Sequence, residues 1–168
     1  MQKGHSERCM TMSQLANELV ETLASKGLTC ATAESCTGGG VGSAITSVAG
    51  SSSVFLGGVI SYANDVKANV LGVSRDSLAR VGAVSSEVAA QMATGAMRTI
   101  GADLAVSLTG IAGPGGGSAE KPVGLVWFGL ATSDGVTTES RIFPGDRAAV
   151  RAAAVEHALS LLLQAAKR

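Results

Sequence analysis

Ala33-Glu34-Ser35-Cys36-Thr37-Gly38-Gly39-Gly40 closes an apolar, strand-like run and opens a helix-like one. A strand passing directly into a helix is the repeating unit of α/β folds. At such a junction a serine, a threonine and three glycines fall where backbone N–H groups have no partner inside the helix. Two tasks suit the arrangement. It can hold an anionic group, or it can present a hydroxyl nucleophile beside ready oxyanion donors.

Outward from this junction the chain alternates. Thr11-x-x-Gln14 has the form of a capping box, and Leu15, Leu19, Val20 and Leu23 follow at helical spacing as far as Gly27. Leu28 to Ala33 reads as a buried strand, Thr37 to Val48 as a helix weakened by glycine, and Gly50 to Ser53 as a loop. Val54 to Tyr62 is a second strand, and Asn64 caps a short helix through Leu71. Ser85 caps another running to about Ile100, with Val88, Met92 and Ala96 on one face. Leu104 to Leu108 is a third strand, followed by a Gly/Pro loop from Thr109 to Lys121. Val123–Ala131 and Val136–Phe143 flank Ser133-Asp134-Gly135 as a hairpin. Asp146 caps a last helix bearing Val150, Ala154, Ala158, Leu161 and Leu162. This order predicts a three-layer α/β/α sandwich on a mixed, mostly parallel sheet. Residues 1–12 read as a flexible leader and 13–168 as a single domain.

Composition narrows the function. With 13 basic and 13 acidic residues the formal charge is zero, and the cations are scattered, so neither nucleic acid nor a membrane surface is an expected partner. Aromatic residues make up 3% of the chain, too few for a base-stacking platform. Cys9, Cys30 and Cys36 form an odd set without metal spacing, which fits a reducing cytoplasm. Residues 1–12 lack the apolar core of a signal peptide, and no apolar run is long enough to span a bilayer. A cytoplasmic location is expected.

In open α/β sheets ligands bind beyond the carboxyl ends of the strands. Glu34–Gly40, Ser61–Lys67 and Thr109–Gly117 all meet that rule. Ser35 stands as an N-cap or a nucleophile, although the Gly-x-Ser-x-Gly elbow is absent. His5 and His157 are the only histidines and fall in the leader and the last helix, so a Ser-His-Asp triad is not expected. A serine hydrolase without histidine needs another base, and lysine is the known substitute. Lys67 reads either as that base, given burial to lower its pKa, or as a solvated helix lysine. Tyr62 reads as a hydrogen-bond donor, a stacking ring or simple strand-end packing. Thr109-Gly110-Ile111-Ala112-Gly113-Pro114-Gly115-Gly116-Gly117 lets the backbone approach an anion, or is merely mobile; it matches no P-loop or Rossmann pattern. Arg147 is a phosphate or carboxylate clamp or a surface residue, and Cys36 a small packed thiol.

Taken together, Thr32–Gly39, Gly50-Ser51-Ser52, Phe55–Val59, Ser61–Lys67, Gly82–Ser85, Thr109–Gly116, Lys121–Gly124 and Gly145-Asp146-Arg147 resemble the CinA C-terminal domain family in unbroken order over roughly residues 13–166. The resemblance implies a nicotinamide-nucleotide amidase, converting nicotinamide mononucleotide and water to nicotinate mononucleotide and ammonia in pyridine nucleotide recycling. It implies that Ser35 attacks the carboxamide carbon, Lys67 takes its proton and Tyr62 supports or stacks. Thr37, Gly38, Gly39, Thr109, Gly110, Gly113, Gly115, Gly116 and Arg147 would bind the substrate. No metal and no cofactor is expected, and a homo-oligomer is. Gly40 departs from the larger apolar residue usual in the family and is expected to loosen its helix. The pyrophosphatase-like domain of longer family members does not precede residue 13, so the stand-alone form without pyrophosphatase activity is expected. The alternative is a non-catalytic nucleotide- or phosphate-binding regulatory module, which needs neither Ser35 nor Lys67.

Overall fold

The structure, a computed structural model, describes residues 10–168; Cys9, His5 and most of the expected leader lie outside them. Thr11 forms the capping box with Gln14, each side chain bonded to the other's backbone N–H, and starts helix α1 (Met12–Lys26). Gly27 ends it in the left-handed conformation that favours glycine. Met10 and Met12, expected to belong to the flexible leader, instead pack against the core, Met12 as the first residue of α1.

Five strands form one sheet in the order β2-β1-β3-β4-β5. They are β1 (Cys30–Glu34), β2 (Phe55–Ile60), β3 (Leu104–Gly110), β4 (Leu125–Thr132) and β5 (Gly135–Ile142). β2, β1 and β3 pair in parallel, β4 runs antiparallel to β3, and β5 returns antiparallel to β4. Four strands thus share one direction, the mixed sheet expected from alternating helices and one hairpin. The helices are α2 (Gly40–Thr46), α3 (Asn64–Leu71), α4 (Arg75–Arg80), α5 (Ser86–Ile100) and α6 (Arg147–Lys167).

Strand pleating sends successive side chains to opposite faces and so divides the core in two. Cys30, Val106 and Leu108 meet Leu19 and Leu23 of α1, Ile45 of α2 and Leu159 and Leu162 of α6. On the other face Ala31, Ala33, Ala105 and Ala131 meet Leu71 of α3 and Val88, Met92 and Ala96 of α5. The small residues on this second face let α5 lie flush on the sheet. A Cβ on Gly129 would sit 2.3 Å from the Ala89 carbonyl oxygen, and the Ser107 hydroxyl donates to that same carbonyl at 2.6 Å.

Three readings of the sequence need adjustment. α2 begins at Gly40 rather than Thr37, because Gly38 (φ 60°) and Gly39 (φ 102°) are left-handed and cannot continue a right-handed helix. Ala63, not Asn64, is the N-cap of α3. α4 was not foreseen. Its six residues are too few for a period to emerge, and it is held by Ser74 capping Ser77 and by Arg80 and Ser77 bonding Glu87 of α5. The Gly40 departure also has a structural counterpart. A Cβ there would come 2.8 Å from Val155 Cγ2, so α6 approaches α2 where a larger residue would stand.

Candidate active site

The sheet ladder runs one step past β1, where Ser35 N–H bonds the Leu108 carbonyl and Ser61 N–H bonds the Glu34 carbonyl. Ser35 therefore sits at the carboxyl end of β1, an interior strand flanked by β2 and β3. The pleat that turns Ala31 and Ala33 toward α3 and α5 directs Ser35 the same way, while Glu34 faces α2.

Lys67, in the first turns of α3, meets Ser35 there. Its side chain is among the largest fully buried groups of the protein, at 1% exposure. Nζ lies 3.0 Å from Ser35 Oγ, 2.6 Å from the Ser61 carbonyl and 3.2 Å from the Tyr62 carbonyl. Burial holds its pKa below that of a free lysine, partly opposed by the nearby Cys36 thiol. A neutral amine has two N–H donors and one lone pair. Two carbonyls and one hydroxyl match that set, with the lone pair left to accept the Ser35 proton. An ammonium fits the same three partners by donating to all of them. The two protonation states thus differ by one proton on the Ser35–Lys67 line, with no rearrangement of heavy atoms.

The glycine turn after Ser35 serves a different purpose from the one expected. Glu34, at 1% exposure, turns its carboxylate back into the start of α2. Oε2 accepts from the Thr37 hydroxyl at 2.6 Å and from the N–H groups of Gly39 and Val41, both at 3.1 Å; Oε1 accepts from Gly42 N–H at 2.9 Å. The helix-start amides are satisfied by this internal carboxylate. Gly38 N–H returns to the Ser35 carbonyl. Thr37, Gly38 and Gly39, expected to bind substrate, accordingly lie off the cavity wall with the Thr37 hydroxyl and the Gly38 and Gly39 amides engaged. Among the described residues only Cys36 N–H and Thr37 N–H in this turn lack an acceptor.

A cavity of about 280 Å³ opens over Ser35 and Lys67. Gly110, Gly113 and Gly115 form one wall, so three glycines of the expected loop are brought to the site, whereas Gly116 is not. Thr109 also reaches the wall, with its hydroxyl donating to the Ala83 carbonyl at 2.9 Å. Arg147, the first residue of α6, spans the mouth: Nη1 donates to the Gly113 carbonyl at 2.8 Å and Nη2 to the Tyr62 hydroxyl at 3.2 Å. Tyr62 itself is 62% exposed at the end of β2. Lys121 donates to the Val81 carbonyl at 2.6 Å and ties down the far side of the glycine loop. Cys36 lies on the cavity wall as a buried thiol whose pKa burial raises to about 11, in keeping with a packed thiol rather than a nucleophile.

Sequence reading missed Glu34 and Arg151 here. Arg151 of α6 donates from Nε to the Cys36 carbonyl and from Nη2 to the Thr37 carbonyl, both at 3.1 Å. Asn64, Ala83 and Val84 also line the cavity, unsignalled by any motif chemistry. His157 is remote: it stacks edge-on against Phe128 and bonds Glu139 on β5. Among the described residues no cluster of three His, Cys, Asp or Glu side chains has metal-binding proximity, and no helix is long and apolar enough to cross a membrane.

Residues 12–166 match the family described as the CinA C-terminal domain. The nicotinamide-nucleotide amidohydrolase PncC of Escherichia coli (strain K12) is 49% identical over 154 residues, spanning 91% of this chain and 93% of that protein. A CinA-like protein of Synechococcus sp. (strain RCC307) is 53% identical over 151 residues, which cover 88% of this chain and 36% of that longer protein. The crystal structure of the competence/damage inducible protein CihA from Agrobacterium tumefaciens superposes with a TM-score of 0.89 at 44% identity, covering 94% of this chain and 96% of that one.

Proposed function

The chain belongs to the CinA C-terminal domain family, and from that membership we propose that it is a nicotinamide-nucleotide amidohydrolase. It hydrolyses nicotinamide mononucleotide to nicotinate mononucleotide and ammonia, a reaction of the class named for its relatives at 49% identity. The observation that carries this reading is the 3.0 Å contact between Ser35 Oγ and the buried Lys67 Nζ, set in a cavity walled by glycines.

Lys67 in its neutral form takes the Ser35 proton as Oγ attacks the carboxamide carbon. The carbonyl oxygen becomes an oxyanion, held by N–H groups that follow Ser35. Lys67, now an ammonium, returns the proton to the departing nitrogen; the C–N bond breaks and ammonia leaves. Water then attacks the Ser35 ester with Lys67 again as base, the ester bond breaks, and the acid product leaves with Ser35 restored. Desolvation favours the neutral form of Lys67 that this cycle uses, and the Ser61 and Tyr62 carbonyls fix its direction. Thr109 and the wall glycines hold the pyridine nucleotide, Tyr62 flanks it, and Arg147 at the mouth faces its phosphate.

Residues 13–168 form the amidohydrolase module in this reading, and the enzyme works in the cytoplasm as a homo-oligomer. Cys30 and Cys36 support a reducing compartment, being free thiols. Leu56 and Ile60, exposed on the unpaired edge strand β2, support assembly. The test is ammonia release from nicotinamide mononucleotide. Wild type releases it and Ser35→Ala does not; release by Ser35→Ala overturns the nucleophile. Tight binding without turnover in wild type favours the non-catalytic module instead.

A further inference from the structure

In a trans peptide the carbonyl of one residue and the N–H of the next lie in one plane and point in opposite directions. Fixing a carbonyl therefore aims the N–H behind it. Three peptides follow the reactive hydroxyl, and each is held by its carbonyl. The Ser35 carbonyl accepts from Gly38 N–H at 3.1 Å, which aims Cys36 N–H. The Thr37 carbonyl accepts from Gly40 N–H at 3.1 Å and from Arg151 Nη2. The Cys36 carbonyl differs. Among the described residues its one partner is Arg151 Nε, at 3.1 Å, reaching in from a helix more than a hundred residues away in sequence.

We propose that Arg151 is a positioning residue for the oxyanion site: by gripping the Cys36 carbonyl it fixes the Cys36–Thr37 peptide, which together with the Gly38 bond to the Ser35 carbonyl locks Cys36 from both sides and presents its free N–H, on the cavity wall, to the reacting carbonyl oxygen. This rests on the amidohydrolase reading above. Glu34 makes the arrangement selective. It occupies the amides of Gly39, Val41 and Gly42, so the donors left over are the two that Arg151 and Gly38 orient. Cys36 lies on the cavity wall and Thr37 directly follows it. The guanidinium also polarises the peptide it grips, which strengthens the N–H at its other end. Arg151 stands one helical turn from Arg147, yet the two do different work. Arg147 bonds groups at the cavity mouth, whereas both Arg151 contacts go to the nucleophile turn. The first turns of α6 thus join substrate capture to oxyanion geometry on one rigid element.

The experiment compares wild type, Arg151→Met and Arg151→Lys in two assays. With nicotinamide mononucleotide, Arg151→Met is expected to lower kcat about tenfold to a hundredfold, the order lost when an oxyanion donor is impaired, with KM within about twofold. The shape of the kcat–pH profile stays that of wild type, since the Ser35–Lys67 contact is untouched. Arg151→Lys, able to reach one carbonyl at a time, recovers part of the rate. The second assay follows Ser35-dependent release of p-nitrophenol from p-nitrophenyl acetate, with Ser35→Ala as the blank. That ester also passes through an oxyanion but carries no nucleotide, and its acylation rate should fall by a similar factor in Arg151→Met. Ester turnover without ammonia release in wild type defeats the nucleotide assignment alone. An acylation rate in Arg151→Met within about twofold of wild type, a rise in KM that accounts for the whole loss, or no Ser35-dependent acylation in wild type overturns the role of Arg151. Should Arg151→Met fail to fold, Arg151→Gln carries the same expectation and the same refutation.

Discussion

Replacing Lys67 by methionine removes a buried amine and keeps most of the volume of its stem, so its consequences for catalysis and for stability can be separated. A positioned general base contributes about 10²–10⁴ in rate, or roughly 3–5 kcal/mol of barrier at 1.36 kcal/mol per decade. Ammonia release should fall by that factor, and Lys67→Met combined with Ser35→Ala should lose no more than Ser35→Ala alone, since nucleophile and base act as one unit. Stability carries a second, independent signature. The folded pKa of Lys67 lies below the unfolded value near 10.5. Between the two, the unfolded chain binds a proton that the folded chain has released, so stability rises with pH across that window. The cost of burying this lysine is therefore full below the folded pKa and vanishes as pH rises past about 10.5. Methionine carries no such cost. The carbonyls of Ser61 and Tyr62 lose their donor in the variant, at about 1 kcal/mol each, but that loss does not vary with pH. Thermal denaturation of both proteins from about pH 7 to pH 10.5 should show the Tm of Lys67→Met relative to wild type increasing as pH falls through the window. A difference that stays flat across the range, or a variant that keeps its rate, refutes the neutral buried base.

Two further outcomes follow from the site. Glu34→Gln puts an amide NH₂ among four donors that now face a carboxylate, and should cost about 1–3 kcal/mol, or roughly 2–12 °C in Tm at 2–4 °C per kcal/mol, measured by calorimetry. Arg147→Ala should raise KM for nicotinamide mononucleotide by about tenfold to a hundredfold, the worth of a charged hydrogen bond, while leaving KM for the phosphate-free riboside nearly unchanged in steady-state ammonia assays.

The fold was legible because its signals are local. A capping box at Thr11, an N-cap at Ser85 and an N-cap at Asp146 each stand where their residues indicate, and the hairpin expected around Ser133-Asp134-Gly135 turns on Ser133-Asp134 with Gly135 already paired to Thr132. All strand ends but the start of β3 drifted, by one or two residues, since the ladder partners that decide them are distant in sequence. For Ser35 and Lys67 the residues alone left an N-cap and a solvated lysine open beside nucleophile and base, and it is the resemblance to the CinA C-terminal domain family that implies the latter pair. The geometry then supplies what local sequence cannot, namely that Lys67 is buried and bound to two carbonyls of its own helix approach.

Glu34 and Arg151 were illegible for a physical reason, and that reason changes how the glycine turn works. An acidic residue at a strand end is usually solvated, and an arginine on the second turn of a helix is usually surface. Neither side chain announces that its partners are backbone groups of the turn 35–42. A Gly-rich helix start read alone looks like an empty anion site, with several N–H groups free for a phosphate. Here the anion is built in. Glu34 takes three of those amides, and a nucleotide phosphate has no comparable seat at α2. In the proposed reading the phosphate therefore falls to the opposite side of the cavity, where Arg147 and the 110–115 backbone stand. What remains at the serine is a short turn held by a carboxylate on one flank and a guanidinium on the other, with two N–H groups unclaimed. A turn braced by a buried carboxylate and by a guanidinium bonded to two of its carbonyls resists rearrangement as negative charge develops, which is the condition under which fixed donors stabilise a transition state more than water does. The glycines let the chain double back over Glu34, and in the proposed mechanism the oxyanion falls to the N–H groups left without an acceptor behind Ser35.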